Sequence, residues 1–254
     1  MLKRLFGKGT FLDPDVEDWH LQTWGLLLQR LGAQVSLAET PVALPTREYF
    51  PPTEATGHAR AEHVFACVKS IMCMEAWPVS LEAQTERRGG ERIAEFASTE
   101  AVDAPAGTFR IEADGRVVIT YSPELVDRPG DLVATLAHEL AHYLLASHEE
   151  LVEDETHELM TDLAVAYAGL GLFGANAAFS FGQHGDVFSQ GWSSQSSGYL
   201  SPRSWAFALA VFARLRGDDG GIEPYLKPEI ASLRRDALRY LDKHPDLLAT
   251  LRPA

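Results

Sequence analysis

The sequence predicts a mostly helical α+β fold in which a small antiparallel sheet packs against one long helix. Two patterns support this prediction: apolar residues recur at helical spacing over most of the chain, and two short β-branched runs flank a turn. We expect one domain over residues 1–254, because a chain of this length with 46% hydrophobic residues can bury a single large core. Within it, we expect residues 1–105 to be looser than residues 106–254.

The two β-branched runs are residues 108–112 and 116–121, and the dipeptide Asp114-Gly115 between them favours a tight hairpin turn. Before the hairpin, residues 77–84 are typical of a short strand. The helices predicted in this first part of the chain are 19–31 and 57–74.

The most apolar helix is predicted over residues 131–146. It is apolar on nearly every side, so we expect it to be buried between other layers. A second helix is predicted over residues 153–170, because acidic residues open it and Gly169 and Gly171 close it. The remaining predictions are a helix over residues 202–216 and weaker helices between residues 228 and 251.

Residues 176–201 are rich in Gly, Ser, Gln and Phe and show little periodicity. A loop of this length is uncommon unless it is functional or disordered. We therefore interpret this segment as a candidate lid or cleft wall.

The predicted buried helix contains the motif His138-Glu139-Leu140-Ala141-His142. Residues four apart lie on one face of a helix, about 40° apart around its axis, so the two imidazoles can bind one ion. Glu139 lies beside them without being placed as a ligand. This HExxH spacing is typical of hydrolases in which zinc lowers the pKa of a water and the carboxylate takes its proton.

An accidental HExxH match is expected only about 0.03 times in a chain of this composition and length. The other positions of the helix are apolar, and burying two histidines and a glutamate there without a partner would be costly. We therefore predict His138 and His142 as metal ligands, Glu139 as the general base and Zn²⁺ as the cofactor.

A catalytic zinc site needs a third protein ligand and leaves one position open. The next predicted helix offers Glu158 and Asp162 on one face, with Glu155 and His157 as competing ligands. HExxH followed by this ExxxD pattern resembles the gluzincin metallopeptidases, a group of zincins. The resemblance covers only the two helices. It implies a zincin-like fold, Glu158 as the third ligand, and Asp162 as a carboxylate that accepts a hydrogen bond from the outer nitrogen of His138.

Weaker candidates lie outside these helices. Tyr199 is a candidate oxyanion donor or a packing aromatic, and His184 is a candidate catalytic residue or an ordinary polar loop residue. The strand at 116–121 is a candidate for aligning an extended peptide by edge pairing, as zincin strands do, or only a cover for the active-site helix. The segments Thr161-Asp162-Leu163-Ala164 and Gly198-Tyr199-Leu200-Ser201 also resemble a group of uncharacterised bacterial proteins, a likeness that implies no function.

The net charge of −14 disfavours nucleic acid and anionic membrane as partners. The sequence contains no apolar stretch of about 18 residues and no signal-peptide pattern, so we expect a soluble cytoplasmic protein. Cys67 and Cys73 are expected to be reduced thiols, since two cysteines do not make a disulfide framework.

These inferences predict a zinc metallopeptidase-like hydrolase, with a peptide or protein as the default substrate and no indication of oligomeric state. Two alternatives stay open at this point. The site can belong to a non-catalytic, zinc-binding regulatory or interaction module, in which case a fourth side chain should close the coordination. It can also belong to a zincin-like hydrolase of a non-peptide amide.

Overall fold

The computed structural model describes residues 10–31, 37–85, 105–148, 156–182, 199–218 and 220–251. This part of the chain contains helices, three strands and short 3-10 turns. The helices are α1 (Pro14–Leu31), α2 (Gly57–Ile71), α3 (Pro129–Ala146), α4 (His157–Tyr167), α5 (Gly171–Gly182), α6 (Pro202–Arg216) and α7 (Pro228–Lys243). The strands are β1 (Ser80–Ala83), β2 (Gly107–Ile111) and β3 (Val117–Tyr121). The 3-10 turns are Pro123–Asp127, Glu223–Tyr225 and Pro245–Leu251.

The three strands form one sheet in the order β1-β3-β2. The predicted hairpin is confirmed: β2 and β3 pair antiparallel with Thr108 opposite Thr120, and Gly115 in the turn has the left-handed φ of 83° that an Asp-Gly turn favours. β1 runs parallel to β3, with Leu81 opposite Ile119, so the prediction of an antiparallel sheet is wrong and the sheet is mixed. Alternation along a strand predicts which residues are buried but does not fix the direction of its pairing.

α3 packs against the sheet on one side and against α2, α4 and α5 on its other sides. Pro129 and Asp131 lie in its first turn, where a missing N–H and a negative charge both suit the helix start. Leu132, Leu136 and Leu140 are fully buried. The prediction of a helix enclosed by other layers is therefore confirmed.

α4 ends close to Gly169, which has a left-handed φ of 81°. A Cβ at this position would lie 1.7 Å from the carbonyl oxygen of Pro41, so only glycine allows the two backbones to approach. The main-chain N–H of Ala43 donates to the carbonyl of Gly169 at 3.0 Å. The segment after α1 thus holds the C-terminal end of the helix that contains Glu158.

The prediction of a loop over residues 176–201 is wrong for residues 176–182, because α5 extends through Gly182. Residues 183–198 lie outside the described part of the chain. Tertiary packing explains the difference. α5 lies against α3, α4 and α6, and a Cβ on Gly174 would meet the ring of Trp205 at 2.4 Å. Glycines, which disfavour a helix locally, let α5 fit between its neighbours.

The apolar core draws on the helices of the whole described chain, from Trp24 of α1 to Leu241 of α7. Among the described helices, none combines the length and the apolar character that a bilayer crossing would need.

Candidate metal centre

The side chains of His138, His142 and Glu158 converge between α3 and α4. The Nε2 atoms of His138 and His142 lie 3.1 Å apart, and Glu158 Oε2 lies 3.0 Å from the first and 3.3 Å from the second. A tetrahedral zinc ion with ligands about 2.1 Å away holds its ligand atoms about 3.4 Å apart. The triangle therefore fits one divalent ion after an outward movement of a few tenths of an ångström.

The outer nitrogen of His138 is held by a buried carboxylate. Its Nδ1–H donates to Asp162 Oδ1 at 3.0 Å, and the other oxygen of Asp162 accepts the main-chain N–H of Leu200 at 2.9 Å. Because an ionised carboxylate can only accept, Nδ1 bears a proton, and Nε2 is the nitrogen of His138 that is left to bind a metal ion. Asp162 therefore lies where the resemblance to gluzincins implies.

The outer nitrogen of His142 meets two different groups. Its Nδ1 lies 3.2 Å from Nε2 of His157 and 3.4 Å from Oγ1 of Thr161. The hydroxyl of Thr161 donates to the carbonyl of His157 at 2.9 Å, one turn back along α4. His157, a competing ligand in the sequence, thus contacts the side of His142 that faces away from the triangle.

Three electron-pair donors that point at one another require a positive charge between them. Burial opposes a charge on His138, but hydrogen bonds to Asp162 and Glu158 outweigh it and raise the pKa of His138 to about 10. Hydrogen bonds with both histidines hold the pKa of Glu158 well below its usual range. The donor set therefore suits a cation, as a metal site requires.

Glu139 is only 6% exposed and lies on α3 beside β2. Burial raises its pKa, although the nearby His138 and His142 act in the opposite direction. A Cβ on Gly107 of β2 would lie 2.9 Å from Glu139 Oε1, so the strand approaches the carboxylate through a glycine. A buried carboxyl with a raised pKa holds its proton more tightly than an exposed one, as a group that accepts and returns a proton requires.

The strand predicted to align a peptide does not have a free edge. β3 lies between β1 and β2, so edge pairing by residues 116–121 is wrong, because both edges of that strand are already occupied. β2 is the edge strand that lies on α3. Sequence alternation identifies strands but not their order in a sheet, which left this assignment open to error.

The open edge of β2 can be read from its pairing with β3. The N–H of Ser122 donates to the carbonyl of Ala106 at 2.8 Å, and hydrogen-bonded pairs recur at every second residue of an antiparallel ladder. The main-chain groups of Gly107 and Phe109 therefore point away from β3. No strand in the described ranges pairs with that side.

Two aromatic rings lie beside the histidines. Phe109 stacks on His142 with centroids 6.1 Å apart and an interplanar angle of 11°. The Tyr199 ring lies 5.3 Å from that of His138, and 48% of the residue is exposed. Burial and three nearby carboxylates raise the pKa of Tyr199 to about 12. Its hydroxyl therefore stays protonated and can donate a hydrogen bond. Sequence reasoning missed Phe109; the hairpin register, which places it on the same face as Gly107, was the available signal.

The remaining candidates lie elsewhere. His184 and Glu155 fall outside the described residues.

The indole N–H of Trp19 on α1 donates to Thr156 Oγ1 at 3.2 Å, just before His157 and Glu158. The N-terminal helix therefore helps to fix the start of the ligand-bearing α4.

Comparison of the chain with protein-family models, with curated proteins and with solved structures gives no match. The interpretation of the centre therefore depends on its geometry. That geometry shows a His-His-Glu group that can bind a metal ion.

Proposed function

We propose that the protein is a zinc-dependent hydrolase with a peptide or protein substrate. The observation that supports this most strongly is the triangle of His138, His142 and Glu158 donors next to the buried Glu139. Two imidazole nitrogens and one carboxylate oxygen form a ligand set that catalytic zinc commonly uses. No fourth His, Cys, Asp or Glu from the described ranges joins the group, which supports an open position over a closed structural site.

When bound, zinc polarises a substrate carbonyl and lowers the pKa of a water. Glu139 takes a proton from the water as its oxygen bonds to the carbonyl carbon. The same carboxyl then gives that proton to the amine nitrogen as the C–N bond breaks. The hydroxyl of Tyr199 donates a hydrogen bond to the carbonyl oxygen, where negative charge develops. Asp162 keeps His138 in the orientation that binding requires.

The open edge of β2 supports a peptide over a small amide. Gly107 and Phe109 direct main-chain donors and acceptors outward beside Glu139 and His142. An extended peptide can add to such an edge as a further strand, which brings its scissile bond along the metal centre. This arrangement uses backbone contacts and therefore places few demands on substrate sequence.

Metal content tests the ligand assignment. We expect about one zinc per chain by mass spectrometry in the wild type and in the control His63→Ala, which removes a histidine on α2 whose Nε2 contacts the carbonyl of Pro51. The ligand variant His142→Ala should retain less than about one tenth of the zinc. Full zinc in His142→Ala would remove this residue from the ligand set.

Turnover tests the role of Glu139. Glu139→Gln preserves the shape and the metal but cannot accept a proton, so hydrolysis of unfolded casein should fall at least about 100-fold. An unchanged rate would remove Glu139 from the mechanism. Cleavage of acylated amines without any cleavage of peptides would favour the non-peptide alternative.

A further inference from the structure

We propose that His157 and Thr161 position the second histidine ligand by accepting the hydrogen bond of its outer nitrogen, so that zinc affinity depends on them. This inference rests on the proposed zinc site. It assigns to His157 a positioning role rather than a place among the ligands.

The contacts around His142 define the arrangement. His157 Nε2 lies 3.2 Å from His142 Nδ1, and the two rings are 5.2 Å apart with an angle of 36° between their planes. Thr161 Oγ1 approaches the same Nδ1 at 3.4 Å. Both residues belong to α4, the helix that also supplies Glu158. The third ligand and the two residues that support His142 therefore move as one unit.

The hydroxyl of Thr161 has no hydrogen to offer His142, because it donates to the carbonyl of His157 at 2.9 Å. Its oxygen therefore faces His142 as an acceptor. With acceptors at Nδ1, His142 keeps its proton there and directs the Nε2 lone pair to the metal position. His157, which accepts through Nε2, bears its own proton on Nδ1.

The two histidine ligands are thus supported in different ways. His138 donates to a carboxylate, whereas His142 donates to a neutral imidazole and a hydroxyl. Phe109 also stacks on the His142 ring, so hydrogen bonding and packing together fix the plane of that ring. Loss of such outer partners typically weakens metal binding about 10–100-fold.

The experiment compares variants that separate shape from hydrogen bonding. His157→Phe keeps a ring and removes the acceptor, while His157→Gln restores an acceptor oxygen near the position of Nε2. Zinc affinity is measured by competition with a chelator, and the visible absorption of the cobalt-loaded protein reports ligand geometry. Circular dichroism of the metal-free variants checks that each is folded.

We expect His157→Phe to bind zinc about 10–100-fold more weakly with an altered cobalt spectrum, and His157→Gln to stay within about threefold of the wild type. Wild-type affinity and spectrum in His157→Phe overturn this inference and leave the proposed function intact. Failure of the wild type to bind zinc overturns the proposed function itself. If His157→Phe does not fold, Thr161→Val decides: a several-fold loss of affinity is expected, and wild-type affinity overturns the inference.

Discussion

The contact between β2 and Glu139, the proposed general base, makes a sharp prediction for Gly107→Ala. A Cβ at this position would lie 2.9 Å from Oε1 of Glu139 and 2.7 Å from Cγ2 of Thr135. Non-bonded atoms prefer separations of about 3.5–4.0 Å, so either the strand or the carboxylate must move by about 0.5–1 Å. The three atoms nearest to the added methyl group belong to Thr135 and Glu139, not to the proposed ligands His138 and His142.

The size of the effect follows from that displacement. A misplacement of about 1 Å at a reacting group can cost roughly 100-fold in rate. We therefore expect kcat to fall about 10–100-fold in Gly107→Ala, with zinc content unchanged. Overpacking between strand and helix should also lower the free energy of unfolding by about 1–3 kcal/mol.

The assay measures kcat, zinc content and thermal midpoint on the same preparations. Gly130→Ala is the matched control. It adds a methyl group to the first turn of α3, where the described residues place no atom within 4 Å apart from the chain neighbours and the helix's own backbone. Gly107→Ala combined with Thr135→Ser removes the nearest clash and should recover part of the rate. A wild-type kcat in Gly107→Ala would show that the strand does not set the position of Glu139.

Three further predictions concern stability. His20 is fully buried and neither ring nitrogen has a hydrogen-bond partner in the described ranges; burial lowers its pKa from 6.5 to about 3. The His20 imidazole therefore binds a proton more tightly in the unfolded chain than in the folded one. The free energy of unfolding consequently decreases as the pH falls from about 6.5 toward 3. In urea unfolding with chelator, the wild type should lose about 2 kcal/mol more than His20→Leu between pH 7 and pH 5, and equal losses would contradict this. Cys73 has a left-handed φ of 56°, so Cys73→Gly should raise the free energy of unfolding by about 0.5–1 kcal/mol in the same assay, whereas a decrease would show that the strain is absent. Gly169→Ala, with its Cβ 1.7 Å from the Pro41 oxygen, should cost more than about 3 kcal/mol, and an unchanged thermal midpoint would refute the close approach.

Local patterns in the sequence were sufficient for several parts of the fold. The hairpin follows from β-branched residues around Asp114-Gly115, because this dipeptide readily adopts the left-handed turn. The buried helix α3 follows from apolar residues on nearly all of its sides. The bounds of α6, Pro202–Arg216, were predicted without error, since Ser201 caps its start and Gly217 follows its end with a φ of 91°.

The direction of β1 and the helical state of residues 176–182 depended on contacts between distant parts of the chain. A short strand carries the same alternation whether its neighbour is parallel or antiparallel, and the partner of β1 is β3, which lies more than 30 residues later in the chain. The glycines of α5 disfavour a helix locally, but Gly174 permits close packing against Trp205. Such tertiary contacts override weak local preferences.

By itself, the sequence determined that two imidazoles four residues apart share one face of a buried helix, because helix geometry depends only on local spacing. The tertiary structure decided which acid meets them. Glu158 and His157 are neighbours in sequence, and only the packing of α4 on α3 directs the carboxylate to the Nε2 atoms and the imidazole to the outer nitrogen of His142. It also decided that β2, not β3, has the open edge, since strand order arises from pairing across the sheet and leaves no periodic trace in the chain.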